Sequence, residues 1–306
     1  MASKEFVVVV RELHVSNQTL YKTPAGEKVL MDLYSAALAR WPVPYTTFDL
    51  DTRYGHTFAI ACGDPAAPPL VLLHGASSNL TAWMGDVAAY SRQHRVFLMD
   101  VIGEPGKSAA SRPAMDGPAY ADWLSDVLDG LHLPQAAIGG LSQGGWTALK
   151  FATSFPGRVT RLVLLAPGGV APARLSFVLR AIPLALLGRW GAEANARIVA
   201  GSQSLHPDTV KVMNALLTHF RPRLDPQPIF ADAALQRLTM PVLLVAGQQD
   251  ALFPSARTAA RLQKCVPHLT VRLLPGMGHV LHGTAELVLP FLSGEGGAPL
   301  AQASGR

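Results

Sequence analysis

Apolar residues recur along this chain with two different spacings, and the order in which the spacings alternate predicts its architecture. Leu70-Val71-Leu72-Leu73, Arg95 to Asp100, Ala136 to Gly139, Arg161 to Ala166, Pro241 to Gly247 and Thr270 to Leu274 are short apolar runs. Near-continuous runs of that length are what strands buried on both faces look like. Helix-like stretches fall between the earlier runs, near Thr81 to Ser91, Ala119 to Leu131 and Gly145 to Phe155. Strands alternating with helices imply an α/β fold built on a mostly parallel, twisted sheet with helices on both faces. Ahead of that alternation, Val29, Leu30, Leu33, Ala37, Leu38 and Trp41 repeat with a helical period that Pro42 and Pro44 close, predicting a helix over Gly26 to Trp41 packed on the core. Thr46 to Leu50 and His56 to Cys62 flank Arg53-Tyr54-Gly55, which predicts an antiparallel hairpin.

After Pro167-Gly168-Gly169 the alternation stops. As far as Thr239 the chain is helix-like and interrupted by prolines at 172, 183, 207, 222, 226 and 228. Residues 169–238 are therefore expected to form a helical segment set between 46–168 and 239–292, the two stretches of the core. Residues 1–45 are expected to be an N-terminal extension with its helix, and 293–306, with Leu300 as the one large apolar side chain, a mobile tail. The Leu, Ile, Phe and Trp residues of that segment suit either a lid over an apolar pocket or a helical layer that covers the core.

Composition agrees with a globular protein of this size and excludes several other classes. A chain of 306 residues, 49% hydrophobic and 15% charged, can bury one large core and an inserted subdomain. The net charge is +5, but the arginines are scattered and no basic run has interleaved aromatics, so nucleic-acid binding is not expected. Cys62 and Cys265 are too few for a disulfide framework and lack metal-ligand spacing, which reads as two reduced, buried thiols. Arg11-Glu12 interrupts the apolar Phe6 to Val10 before it reaches the length of a signal sequence, and the cytoplasm is the expected compartment. Leu175 to Leu187 contains Arg180 and Pro183 and is too short to span a bilayer.

The candidate chemistry sits at the ends of the strand-like runs. Gly140-Leu141-Ser142-Gln143-Gly144 places a serine between a strand and a helix. On such a turn the central residue takes φ > 0, flanking glycines avoid a clash, and the hydroxyl is pushed outward. The N–H of Gln143, at the positive end of the following helix, suits a developing oxyanion. Asp250 follows the run ending at Gly247, and His279 follows the run ending at Leu274. In an open parallel sheet these ends share one edge, so Ser142, Asp250 and His279 can converge. A histidine there would take the serine proton and a carboxylate would hold the imidazole tautomer. His279, in the glycine-rich turn, is preferred as base over His282, which is expected to begin or pack the last helix. His74 is expected to shape its loop by hydrogen bonding, and Asp100 and Glu104 to brace theirs. Gly106-Lys107-Ser108 fails as a phosphate-binding loop because Val101 stands where glycine is required. No histidine spacing matches a metal-ligand set, and neither a metal nor another cofactor is expected.

Taken together, HGASSN, MDVIGEPGKS, GLSQGGW, VAGQQDALFP and GMGHVLH give the chain a resemblance to the α/β-hydrolase fold, close in style to single-domain bacterial carboxylesterases, over roughly Thr46 to Leu292 apart from residues 169–238. The resemblance implies an α/β-hydrolase fold with a helical cap and a triad in the chain order Ser142, Asp250, His279. It also implies a second oxyanion N–H from the loop after the third strand, assigned to Ala76 with Ser77 in reserve. Serine in the nucleophile slot disfavours the dehalogenase and epoxide-hydrolase branches, which carry aspartate there. The expected activity is cleavage of small-molecule carboxylic esters through an acyl-enzyme on Ser142, with small to medium apolar acyl or alcohol groups. Thioesterase, lactonase, carbon-carbon bond hydrolase and acyltransferase chemistry would use the same machinery, and a noncatalytic scaffold of this fold is the alternative of another class.

Overall fold

The computed structural model describes residues 19–186, 188–203 and 206–294. The apolar stretch Phe6 to Val10 and residues 295–306 of the expected tail lie outside them. Thr23 caps the first helix, α1 (Pro24–Ala39), by accepting a hydrogen bond from the Gly26 N–H. The hairpin follows as β1 (Tyr45–Thr52) and β2 (Gly55–Cys62). Then come β3 (Pro69–Leu73), α2 (Val87–Tyr90), β4 (Arg95–Met99), α3 (Ala119–Gly130), β5 (Ala136–Leu141), α4 (Gln143–Ser154) and β6 (Val159–Leu165). Four helices, α5 (Leu175–Leu186), α6 (Gly188–Ala200), α7 (Pro207–His219) and α8 (Asp232–Leu235), precede β7 (Val242–Gly247). The chain then runs through α9 (Ser255–Cys265), β8 (Leu269–Leu274) and α10 (Ala285–Ser293).

The strands form one eight-stranded sheet in the order β1-β2-β4-β3-β5-β6-β7-β8. β2 is antiparallel to both β1 and β4, and every pairing from β4 to β8 is parallel. Successive side chains of a strand point to opposite faces, and the two halves of the core follow from that. On β3, Val71 and Leu73 join one buried cluster while Leu70 and Leu72 join the other, and on β7 Val242 and Leu244 divide from Leu243 and Val245 in the same way. Because both faces are covered, these strands read as continuous apolar runs.

Chain order reverses at β3. The connection after β3 leads to β4 on one side, whereas β5 pairs with β3 on the other. Loops leaving β3 and β5 therefore diverge and leave a crevice at the C-terminal strand ends, the place where open α/β sheets bind ligands.

Two expected helices differ from what the period suggests. Leu80, Trp83, Val87 and Tyr90 do bury on one side in a single cluster, but the predicted helix over Thr81 to Ser91 is broken into a 3-10 turn, Leu80–Trp83, and the one-turn α2. Gly85 sits at the break, and the Asp86 carboxylate, instead of capping α2, accepts from the Ala285 N–H at 3.1 Å. α1 packs only partly on the core. Tyr34 and Leu38 join a core cluster, but Leu30, one turn earlier, packs with Leu20 and Phe220 at the end of α7.

Candidate active site

Ser142 is the N-cap of α4, with φ 54° and ψ −111°. That is a strained backbone for a residue with a side chain, and close packing holds it. A Cβ at Gly140 would stand 2.2 Å from the Gly144 carbonyl oxygen, and a Cβ at Gly144 would stand 2.2 Å from that of Leu73 and 2.5 Å from that of His74. The bend is thus closed by backbone against backbone on both sides. Gly144→Ala is expected to destabilise the fold by about 3 kcal/mol, the upper end of ordinary overpacking, because neither opposing atom belongs to a movable side chain. Urea denaturation monitored by tryptophan fluorescence measures this, and an unchanged midpoint would contradict the packing argument.

Three side chains from three strand ends meet over this bend. The Ser142 Oγ lies 2.8 Å from His279 Nε2, and His279 Nδ1 lies 2.8 Å from Asp250 Oδ2. Asp250 follows β7 and is only 2% exposed. Its other oxygen, Oδ1, accepts from the N–H groups of Leu252 at 2.8 Å and Phe253 at 3.0 Å. With both oxygens committed, the carboxylate has one orientation toward the ring. The Phe253 ring sits 5.4 Å from the imidazole, centroid to centroid, and sets an apolar wall beside it. His282, three residues beyond His279, is exposed and lies ahead of α10 rather than packing it.

The loop carrying His279 is also fastened from the segment between β6 and β7, which the sequence did not signal. At the exit of α6 the Val199 carbonyl accepts from the His279 N–H at 2.8 Å, the Ala200 carbonyl accepts from Gly278 N–H at 3.1 Å, and Ser202 N–H donates to Gly276 O at 3.1 Å. The Ser202 hydroxyl donates to Gln249 Oε1 at 2.7 Å, next to Asp250. The exit of α6 thus grips the segments that bear both His279 and Asp250.

On the opposite side, the loop after β3 lies against the elbow. A Cβ at Gly75 would be 3.4 Å from the Ser142 Cβ. His74 shapes this loop from within. Its Nε2 accepts from the Val101 N–H at 2.9 Å, so Nδ1 carries the proton and donates to Gly75 O at 2.8 Å. Burial pushes its pKa down to about 4, which keeps the ring neutral and this tautomer fixed. Asp100 braces the neighbouring loop, accepting from the N–H groups of Leu80 and Lys107 and from the Tyr34 hydroxyl, and burial pushes its carboxyl above the usual range.

Ala76 lies in the loop after β3 and Gln143 is the first residue of α4, immediately after Ser142. Ser77, the reserve donor, has φ 52° and its N–H is already engaged by Glu104 Oε2 at 2.7 Å. Among the described residues no acceptor takes the N–H of Ala76 or Gln143. Trp83 and Trp146 are core residues, the latter wedged between Tyr120 and Phe230. Both cysteines are buried and unpaired. No cluster of three potential metal ligands occurs, and no helix is long and apolar enough to cross a membrane, among the described residues.

The alpha/beta hydrolase family model matches residues 70–290, which include every strand end just described. The chain belongs to the alpha/beta hydrolase family. This hydrolase is 32% identical over 276 residues to carboxylesterase YbfK of Bacillus subtilis (strain 168), an alignment covering 85% of this chain and 92% of that protein. The crystal structure of carboxylesterase CesB (YbfK) from Bacillus subtilis matches with a TM-score of 0.79 and 30% identity, covering 88% of this chain and 99% of that one. Naproxen esterase (carboxylesterase NP) from Bacillus subtilis matches with a TM-score of 0.79 and 29% identity, covering 89% and 99%.

Proposed function

We propose that this hydrolase cleaves carboxylic esters of small molecules through an acyl-enzyme on Ser142, with His279 as base and Asp250 as its orienting carboxylate. The observation that carries the reading is the unbroken relay of two 2.8 Å contacts from Ser142 Oγ through the His279 ring to Asp250. The carboxylesterase names of relatives that align over most of the chain support the choice of substrate class.

The chemistry follows from the geometry. His279 Nε2 accepts the hydroxyl proton as Ser142 Oγ bonds the acyl carbon, and the carbonyl oxygen becomes negatively charged. The N–H groups of Ala76 and Gln143 stabilise that charge, each contributing roughly 3–4 kcal/mol. The imidazolium then gives its proton to the departing alcohol, and a water activated by the same ring releases the acid. Phe253 beside the base favours apolar acyl or alcohol groups. Residues 169–238 would act as the cap, 46–168 and 239–292 as the core and 1–45 as the N-terminal extension. The unpaired cysteines suit a reducing compartment, and the cytoplasm is the proposed location.

A fluorophosphonate probe followed by peptide mapping tests the reading. The expected result is one phosphonylated residue, Ser142, with parallel loss of p-nitrophenyl ester hydrolysis. Failure to label the intact protein would instead favour a scaffold that binds without catalysis.

A further inference from the structure

A buried carboxylate outside the triad stands between the two oxyanion arms. Glu104, in the loop after β4, is 2% exposed. Its Oε2 accepts from the Ser77 backbone N–H at 2.7 Å, and its Oε1 accepts from the Gln143 side-chain Nε2 at 3.0 Å. Ser77 is the residue after Ala76, and Gln143 is the residue after Ser142. One side chain therefore joins the loop following β3 to the first turn of α4, each of which carries one proposed donor. We propose that Glu104 is a positioning residue that sets the spacing and aim of the Ala76 and Gln143 N–H groups, pre-organising the oxyanion hole without touching substrate. The inference rests on the triad reading above.

Three physical points support it. First, an oxyanion hole works only if its donors already stand about 2.7–3.1 Å from where the charge will develop. Its two arms here come from loops that diverge at the switch between β3 and β5, so something must hold them together. Second, by occupying the Ser77 N–H, Glu104 leaves Ala76 as the arm's free donor. Third, a buried carboxylate is destabilising unless its oxygens are matched, and the matches are these two arms. The other charged or titratable groups that bear on it are Arg112, Arg223 and Tyr120 of α3. Both guanidinium groups are held elsewhere, Arg112 by the Gly103 and Arg221 carbonyls and Arg223 by Asp225, the Pro113 carbonyl and the Tyr120 hydroxyl. Burial pushes the Glu104 carboxyl up to about 7 although the hydrogen bonds and the arginines pull it back. As pH falls through that value the carboxylate takes a proton, and a carboxyl O–H then opposes a donor that it formerly accepted. The clamp is therefore complete on the alkaline side and weakens on the acid side.

The test compares wild type, Glu104→Ala, Glu104→Gln and Ser142→Ala on p-nitrophenyl acetate. Phosphonylation counts the competent sites of the first three. Glu104→Ala is expected to lower kcat per site by about 10–100-fold with KM within about twofold, because a misplaced donor weakens the transition state and leaves ground-state binding intact. Glu104→Gln still accepts from Ser77 and is expected to lie between. Its log kcat should also fall less steeply with pH than that of wild type between about pH 8 and about pH 5.5, since one ionisation has been removed. A wild-type kcat per site in Glu104→Ala, or superimposable pH profiles for wild type and Glu104→Gln, would overturn the proposal. If the alanine variant does not fold, the profile comparison decides alone. Ser142→Ala separates the two levels: esterase activity within about tenfold of wild type there removes the triad reading itself, whereas a Ser142→Ala reduced to trace turnover beside a fully active Glu104→Ala removes only the role of Glu104.

Discussion

Replacing Ser142 by alanine is expected to lower kcat for p-nitrophenyl acetate by roughly 10⁵–10⁶-fold, the largest single effect in the molecule. The substitution deletes the proposed nucleophilic oxygen and leaves the rest of the site in place. His279 stays fixed by Asp250 on one side and by its backbone N–H to Val199 on the other. The backbone at position 142 has φ 54°, and alanine tolerates that region about as well as serine does, so the elbow is retained. Thermal melting within about 3 °C of wild type is expected, equivalent to roughly 2 kcal/mol for a chain of this size. What survives should be slow turnover aided by the oxyanion donors, with KM little changed because ground-state contacts persist. The measurement is steady-state hydrolysis on protein purified free of host esterases. Activity within tenfold of wild type would mean that the nucleophile lies elsewhere.

Sequence pattern located the strands well because burial on both faces makes each of them a compact apolar run. β3, β4 and β7 begin or end within one residue of the pattern, and the side chains that meet, Ser142, Asp250 and His279, follow β5, β7 and β8. Helix boundaries were less legible. α4 begins at Gln143, two residues before the pattern suggests, because Gly144 and Gly145 have poor helix propensity and are there for close packing against backbone. The pattern over 80–90 gives the correct buried face but not the break at Gly85, which depends on Asp86 reaching Ala285, 199 residues away. The same separation hides the rest of the site. Glu104 reads as a loop carboxylate until its burial and its bond to Gln143 are seen, and nothing local tells that the α6 exit at Val199 will hold the backbone of His279, 80 residues on.

These long-range ties give the crevice an asymmetric build. The proposed nucleophile is held by close packing of glycines against backbone, the proposed base by the exit of α6, and the proposed oxyanion arms by a buried carboxylate. Each fastening acts on a different member of the reaction, so substitutions can separate them. Of these, the proposed base His279 has the most sensitive state, because its hydrogen bond to Asp250 decides which ring nitrogen is free.

Asp250→Asn is the second large effect, an expected fall in kcat of about 10⁴-fold with the fold undisturbed. Asp250 Oδ1 accepts from the N–H groups of Leu252 and Phe253, while Oδ2 accepts from His279 Nδ1–H. In the variant the amide oxygen must stay with the two loop N–H groups, since an NH₂ placed there would oppose two donors. The amide nitrogen is then left facing His279 Nδ1, which can meet it only as an acceptor, and the ring proton moves to Nε2. A protonated Nε2 can no longer take the proton of the Ser142 hydroxyl that lies 2.8 Å from it. The loss is therefore one of tautomer rather than of position, and it should appear in kcat and in the rate of phosphonylation alike, with KM and the melting temperature close to wild type. Raising the pH does not rescue it, because deprotonating the solution leaves the tautomer preference unchanged. Asp250→Asn with wild-type kcat would show that the carboxylate does not govern the base, and Asp250→Ala, which frees both the loop and the ring, serves as the control for simple loss of packing.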